Sequence, residues 1–351
     1  LTTKLADACA EAHLHLQENN MSKFFNRLPC GSLTTILCAC VIWAGPVSAK
    51  DMDVPAPGFE GADPAQWVMV EALSDEFDSP RVDPRKWNNN PPDWGPWSWK
   101  PENTRTEDGK LHLTLAYEEH QAKRPAPGGI IVPMDLYYTS GIVRSWQTLT
   151  YGYYEARIKG VPTFPGSSPA FWIYSVDDEM KALGLYGDQE GDVTYAEIDI
   201  VELQQAEDID GDQTRRYPVN VMEMNLHKRV IENAEEVWKR PNGNPEAQKN
   251  KIFADFDPRD DFHTYAALVT EDDIVWYLDG KEVARKPNTS WHKPFHVTLS
   301  LGLRYPHVTY FDCPYSVGRC PVPQEARRDG YPTDMEIDYV RVYEPRVDIL
   351  R

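Results

Sequence analysis

An all-β fold, a sandwich or jelly roll, is what this sequence predicts, and three observations predict it. Short segments of alternating or β-branched character recur along the chain with turn residues between them. No long amphipathic helix and no internal repeat interrupts them. Aromatic residues and proline are abundant: 11 Trp, 18 Tyr and 29 Pro suit a loop-rich β protein with an aromatic-lined groove better than a helical bundle.

The chain starts with processing signals. From Met21 a basic start leads into a mostly apolar stretch at 33–44 and a small-residue end at Val47-Ser48-Ala49, the layout of a secretory signal peptide over 21–49. Its apolar run is short for a membrane span, so none is expected in the mature chain. Because the sequence opens on Leu1, residues 1–20 read as an upstream extension outside the translated protein. A Pro-rich linker over 50–66 follows, then one domain over 67–346 and a tail over 347–351.

Within the domain the first strand is expected over 67–78. The stretch 87–99 then packs four Trp into thirteen residues, with Pro and Asn keeping it irregular. Indoles on such a loop either stack on the apolar faces of sugar rings or fill a loop core, and some of each is expected. Strands follow at 111–115 and 168–174, and 137–146 with 151–158 reads as a hairpin turning near Leu149-Thr150. Loops rich in acids are expected at 177–192 and 208–216, on either side of a strand at 196–203. His227 lies on a strand at 222–230, and 237–241 is a basic and aromatic cluster. The segments 262–269 and 274–278 pair about an acidic turn, and 276–283 is a hairpin with an Asp279-Gly280 turn. Strands at 295–303, leading into Arg304, and at 335–343 complete the pattern.

Charge and cysteine content bound the function. A formal net charge of -19 argues against nucleic acid or an anionic membrane as partner. Cys9, Cys30, Cys38 and Cys40 precede the expected cleavage site, which leaves Cys313 and Cys320. In an exported chain these two most simply form one disulfide across a surface loop. Neither zinc-ligand spacing nor a phosphate-cradling glycine loop appears, so no metal site is expected, and a structural calcium ion is not legible in the sequence.

The stretch Ala196-Glu197-Ile198-Asp199-Ile200-Val201-Glu202-Leu203 carries the chemistry. Three acids sit among aliphatic and β-branched residues, although acids are depleted in strands and like charges side by side cost stability. Side chains alternate along a strand, so Glu197 and Asp199 share a face and Glu202 has the wrong parity. A β-bulge near Ile200 or Val201 restores it and brings all three acids to one surface. Two Glu carboxyls about 5 to 5.5 Å apart are the requirement for cleaving a glycosidic bond with retention. Repulsion among them is expected to raise the pKa of one Glu so that it holds a proton while the other attacks. The competing reading is a solvated sheet edge. Glu336-Ile337-Asp338 repeats only the first half of the pattern, with Val340 and Arg341 where a third acid would stand, and reads as structural.

These residues resemble glycoside hydrolase family 16 in its bulged form. The acid run, Tyr151-Gly152-Tyr153-Tyr154-Glu155-Ala156-Arg157-Ile158-Lys159, the strand with Phe171-Trp172, the hairpin from Trp276 to Gly280 and Asp338-Tyr339-Val340-Arg341-Val342-Tyr343 are similar to that family's frame. The likeness spans about 75–343 and implies a curved antiparallel jelly roll with a substrate cleft on its concave face. Within the family the chain is most similar to the κ-carrageenases, through Glu202-Leu203-Gln204-Gln205, Met224-Asn225-Leu226-His227, Trp238-Lys239-Arg240-Pro241, Ala284-Arg285-Lys286-Pro287-Asn288, Trp291-His292 and Leu299-Ser300-Leu301-Gly302-Leu303-Arg304.

What the resemblance implies is an endo-acting, secreted, monomeric hydrolase of κ-carrageenan that needs no cofactor. Glu197 is then the nucleophile, Asp199 the assisting carboxylate and Glu202 the acid/base. His227, Trp238, Arg240 and Arg304 match positions that line the cleft, and Trp94 and Trp172 are further substrate-binding candidates. A galactan bearing a sulfate ester needs fixed cations, and guanidinium meets sulfate with two parallel hydrogen bonds, which suits Arg240 and Arg304. The other readings are a galactanase acting on furcellaran, porphyran or agarose, a transglycosylase, and a carbohydrate-binding protein without turnover. Either Arg is alternatively the partner of a nearby acid.

Overall fold

The computed structural model describes residues 55–346 apart from 242–243, 245–246 and 248, so the expected upstream extension and signal peptide, with four cysteines between them, the start of the linker and the tail lie outside the described residues. Two large antiparallel sheets are stacked face to face. One has ten strands, in the order Lys281–Pro287, Asp273–Leu278, His263–Val269, Gly152–Lys159, Thr333–Pro345, Lys110–Ala126, Ile130–Ser140 and Ser98–Trp99, with two short strands attached at its side. The other has eight, in the order Glu235–Lys239, Val221–Glu232, Val193–Glu202, Ser167–Tyr174, Phe295–Leu303, Ile142–Leu149 and Trp87–Asn88, with Asn250–Phe253 paired to Val221–Glu232. The all-β sandwich read from the strand pattern is the observed architecture.

Alternation explains the core. Along Ser167–Tyr174 every residue is buried, yet the faces differ: Phe171 and Ile173 enter the layer between the sheets, while Ala170, Trp172 and Tyr174 form a separate cluster on the opposite face. Ile198, Leu226, Val297 and Leu299 join the inter-sheet layer and meet Tyr154, Ile158, Tyr265, Trp276 and Ile337 from the ten-stranded sheet. The eight-stranded sheet therefore buries one face and turns the other, with its acids, toward a cleft.

Four local expectations are corrected. Only Trp67–Met69 of the expected first strand is extended as a strand, because a turn intervenes in which Leu73 N–H donates to the Val70 carbonyl at 2.9 Å. The expected hairpin at 137–158 is not one: Ile142–Leu149 pairs with Phe295–Leu303, and Gly152–Lys159 pairs with strands of the other sheet. The chain changes sheets at Gly141, whose N–H donates to Thr114 of one sheet at 3.0 Å while its carbonyl accepts from Leu301 of the other at 3.3 Å. A Cβ there would stand 2.2 Å from the Asn103 carbonyl oxygen, so only glycine fits this crossing. The short strand expected at 111–115 continues to Ala126 and pairs with Ile130–Ser140 in a long hairpin. Of the two acidic loops, 177–192 contains the helix Asp177–Ala182, and 208–216 is a small hairpin of Asp208–Ile209 with Asp212–Arg216.

The Pro-rich segment, from its first described residues, is docked on the ten-stranded sheet. Gly58 N–H donates to Glu155 Oε2 at 3.1 Å, and the Phe59 ring lies 4.9 Å from Tyr153 and 5.3 Å from Tyr277. The Asp279-Gly280 turn has positive φ at both residues, 48° and 76°, as a tight hairpin turn requires.

Candidate active site

The acid run forms the strand Val193–Glu202 between Ser167–Tyr174 and Val221–Glu232. Opposite residues of antiparallel strands point the same way. Glu197 lies opposite Tyr174 and His227, and Asp199 opposite Trp172 and Asn225. The register then slips by one residue between Asp199 and Val201, and Glu202 lies opposite Ala170 and Glu223. Ile200 is the extra residue of the bulge, at the place parity required. Ile198, Ile200 and Val201 are fully buried, and the three carboxylates share the cleft floor.

Two indoles hold this strand from behind. Trp276 crosses the core from the ten-stranded sheet to donate its N–H to the Asp199 carbonyl at 3.0 Å. Trp291 Nε1–H lies 3.0 Å from the Glu197 carbonyl and 3.1 Å from that of His227. The backbone that presents the acids is thus fixed by side chains buried on the far side.

Each acid has distinct partners. Glu197 Oε2 accepts from the Tyr195 hydroxyl, and its Oε1 lies 3.7 Å from His227 Nε2. Asp199 Oδ2 is closer to that nitrogen, at 3.2 Å. Glu202 Oε2 accepts from Asn225 Nδ2 at 2.7 Å, while Oε1 accepts from Arg304 Nη2 at 2.6 Å and from Gln205 Nε2 at 3.3 Å.

Burial first, then the charges of Glu202 and Glu197, push the Asp199 carboxyl up to about 7. Burial and the charges around it thus act together on the middle carboxyl. Burial alone would favour neutral His227, but Glu197, Asp199 and Glu202 outweigh it and raise the imidazole to about 9. His227 is a cation at neutral pH. Its raised pKa contributes stability that is fully present below its ordinary value near 6.5 and lost as pH rises through about 9. Stability measured by thermal unfolding should accordingly fall across that window by an amount on the order of 3 kcal/mol, and His227→Asn should flatten the loss. An equal loss in the variant would contradict this assignment.

Glu197, Asp199 and His227 also bring metal-ligand atoms within 4.8 Å of one another among the described residues. A proton held on His227 up to about pH 9 competes with any metal there.

The remaining candidates fall on one cleft of about 1520 Å³. Trp172 stacks on Tyr174 at 4.5 Å and donates its N–H to Ser300 Oγ at 3.1 Å. Trp94 stands edge-on to it at 5.9 Å. Of the loop tryptophans, Trp87 and Trp97 are buried, and Trp94 is half-buried at the cleft. Trp238 lies on the strand Glu235–Lys239, 42% exposed, with its ring 5.2 Å from Tyr195 and the Arg240 guanidinium 4.3 Å above it. Arg304 lies in the cleft and pairs with Glu202, which favours the acid-partner alternative over the sulfate contact. Cys313 and Cys320 form the disulfide, with Cα atoms 5.6 Å apart, and their loop forms part of the cleft wall.

Sequence reasoning passed over Tyr195, although it precedes Glu197 by two and shares its face. Asn225 and Gln205 stand in the sequence only as members of longer motifs. Their contacts with Glu202 depend on strands meeting in space and have no local signal.

The chain is similar to known proteins over most of its length. The family described as Beta-porphyranase A-D, GH16 domain, matches residues 67–345. A kappa-carrageenase of Pseudoalteromonas carrageenovora is 42% identical over 281 residues, covering 79% of this chain and 64% of the relative's own length. Beta-porphyranase B of Zobellia galactanivorans is 30% identical over 237 residues, 64% of this chain and 72% of that protein. The crystal structure of the Pseudoalteromonas kappa-carrageenase in complex with a kappa-carrageenan oligotetrasaccharide superposes with a TM-score of 0.71 at 41% identity, covering 82% of this chain and 98% of that one.

Proposed function

The chain belongs to glycoside hydrolase family 16, and on that premise we propose that it is an endo-acting retaining hydrolase of the internal β-1,4 links of κ-carrageenan. The observation that carries the reading is the combination in one cleft of three same-face acids with an arginine-on-tryptophan pair, Arg240 and Trp238. The acids serve glycosidic cleavage, and the pair suits a sugar bearing a sulfate ester.

In this proposal Glu202 gives its proton to the leaving oxygen while Glu197 attacks the anomeric carbon. Arg304 and Asn225 stabilise the Glu202 carboxylate as it forms, and that carboxylate then takes a proton from the water that releases the product. The Tyr195 hydroxyl and the His227 cation orient Glu197. Asp199 shares its proton with this network, limiting the charge that crowding imposes on the nucleophile. The two-residue spacing and the bulge keep the three acids on one face of one strand.

Export is part of the proposal. The disulfide suits an oxidising compartment, and a polymer of this size is met outside the cell. Among the described residues no helix is long and apolar enough to cross a membrane.

The match to a porphyranase-described family favours porphyran as a second reading. Offering κ-carrageenan, furcellaran, porphyran and agarose separately to the chain from Lys50 onward decides between them. The expected result is fastest release of sulfated neocarrabiose oligosaccharides from κ-carrageenan. Cleavage of porphyran or agarose alone would overturn the substrate assignment.

A further inference from the structure

Cations of two kinds face the cleft. Arg124, Arg229, Lys249 and Arg304 each lie near a carboxylate, at 3.2 Å from Asp93, 2.5 Å from Asp177, 2.7 Å from Glu223 and 2.6 Å from Glu202. Arg216, Arg240 and Arg319 line the same cleft and have no ion-pair partner among the described residues. Instead each guanidinium lies over a ring: Arg216 on Tyr305 at 3.8 Å, Arg240 on Trp238 at 4.3 Å and Arg319 on Trp97 at 5.2 Å. In a chain of net charge -19, cations kept away from carboxylates at one place mark a site whose anion comes with the ligand.

Arg319 is the most constrained of the three. It is half-buried, and the like charges of Arg304 and Arg240 act on it. Burial, more than these two neighbours, lowers its pKa, against an opposing pull from the Tyr310 hydroxyl. The structure also builds its seat. Arg319 immediately precedes Cys320, whose disulfide to Cys313 closes the loop and whose strand, Cys320–Pro321, pairs with Val308–Thr309. Beneath it, Gly95 has φ +75°, and a Cβ there would stand 2.9 Å from the Trp97 ring and 3.3 Å from the Arg319 guanidinium carbon. A side chain at that position would break the stack.

We propose that Arg319, propped on Trp97 and anchored by the Cys313–Cys320 disulfide, forms with Arg240 a further sulfate-ester subsite, reading a charged sugar bound in the cleft. The proposal rests on the sulfated-galactan reading above and adds to it a residue and an anchor. Two guanidiniums that repel each other become favourable neighbours once a sulfate lies between them. Reducing the disulfide frees the loop and with it the Arg319 end of the site.

The test compares wild type, Arg319→Ala, Arg319→Lys and the double variant Cys313→Ser with Cys320→Ser on κ-carrageenan and on its chemically desulfated form. Arg319→Ala should raise KM for the sulfated polymer about tenfold, with the smaller part of the loss in kcat, and should shrink the preference for sulfated over desulfated substrate. Arg319→Lys should recover part of that preference, and the double-serine variant should shift in the same direction as Arg319→Ala. An unchanged sulfated-to-desulfated ratio in Arg319→Ala overturns the subsite while the carrageenase reading stands. An unchanged ratio in the double-serine variant overturns the anchoring role of the disulfide. If wild type leaves κ-carrageenan uncut, the carrageenase reading fails by itself. Calorimetric titration of wild type and Arg319→Ala with a sulfated neocarratetraose then decides the subsite, and equal Kd values overturn it.

Discussion

Glu197→Gln is expected to yield a folded protein whose turnover of κ-carrageenan falls by about ten-thousand-fold or more, the scale seen when a nucleophile is removed. The substitution keeps the side chain's size, and the amide oxygen still accepts from the Tyr195 hydroxyl that Glu197 now engages. The indole of Trp291 continues to hold the backbone at 197, since it bonds the carbonyl and not the side chain. What is lost is the negative charge and the ability to form a glycosyl ester. Circular dichroism and the melting temperature should therefore be close to wild type while activity disappears. A correctly folded, active variant would remove Glu197 from the mechanism.

Glu202→Gln is expected to lower kcat on the polymer by about 10²–10⁴-fold, the range for loss of a general acid/base. Its signature differs from the first case. A κ-neocarrabioside with an activated aryl leaving group needs no proton to depart, so the first step survives and the second, which needs the base, stalls. Mass spectrometry should then find a glycosyl adduct on the peptide carrying Glu197. The substituted amide keeps one oxygen, which accepts from Arg304 or from Asn225 but not from both, so the adduct, and not the size of the loss, identifies the missing proton transfer. Absence of the adduct, with a rapid second step, would assign the acid/base role elsewhere.

The acid strand was legible because its information is local. Two faces and a period of two residues determine that Glu202 needs an extra residue to join Glu197 and Asp199, and the pairing slips at Ile200. The sheet in which a strand ends up is not local. Residues 137–158 have the alternation of a hairpin, but the chain crosses between sheets at Gly141 and again between Leu149 and Gly152, and each strand finds partners more than a hundred residues away. The same applies to Arg304. Its place at the end of Phe295–Leu303 was readable, whereas its choice of Glu202 over a ligand follows from the neighbouring strands that bring the two together. The composition of the tryptophan loop did not separate its members. Trp97 is buried against Gly302 and Arg319, and Trp94 meets Trp172 at the cleft, contacts with residues distant in sequence that the loop itself does not encode.

The measurement that tests the central claim most directly is proton NMR of the first products released from κ-carrageenan, recorded before mutarotation equilibrates the new reducing ends. Double displacement through Glu197 predicts that the β-anomer of a 4-sulfated galactose end appears first, with the α-anomer growing in later. Initial appearance of the α-anomer would mean inversion, a water attacking in one step, and would contradict the assignment of Glu197 and Glu202 together.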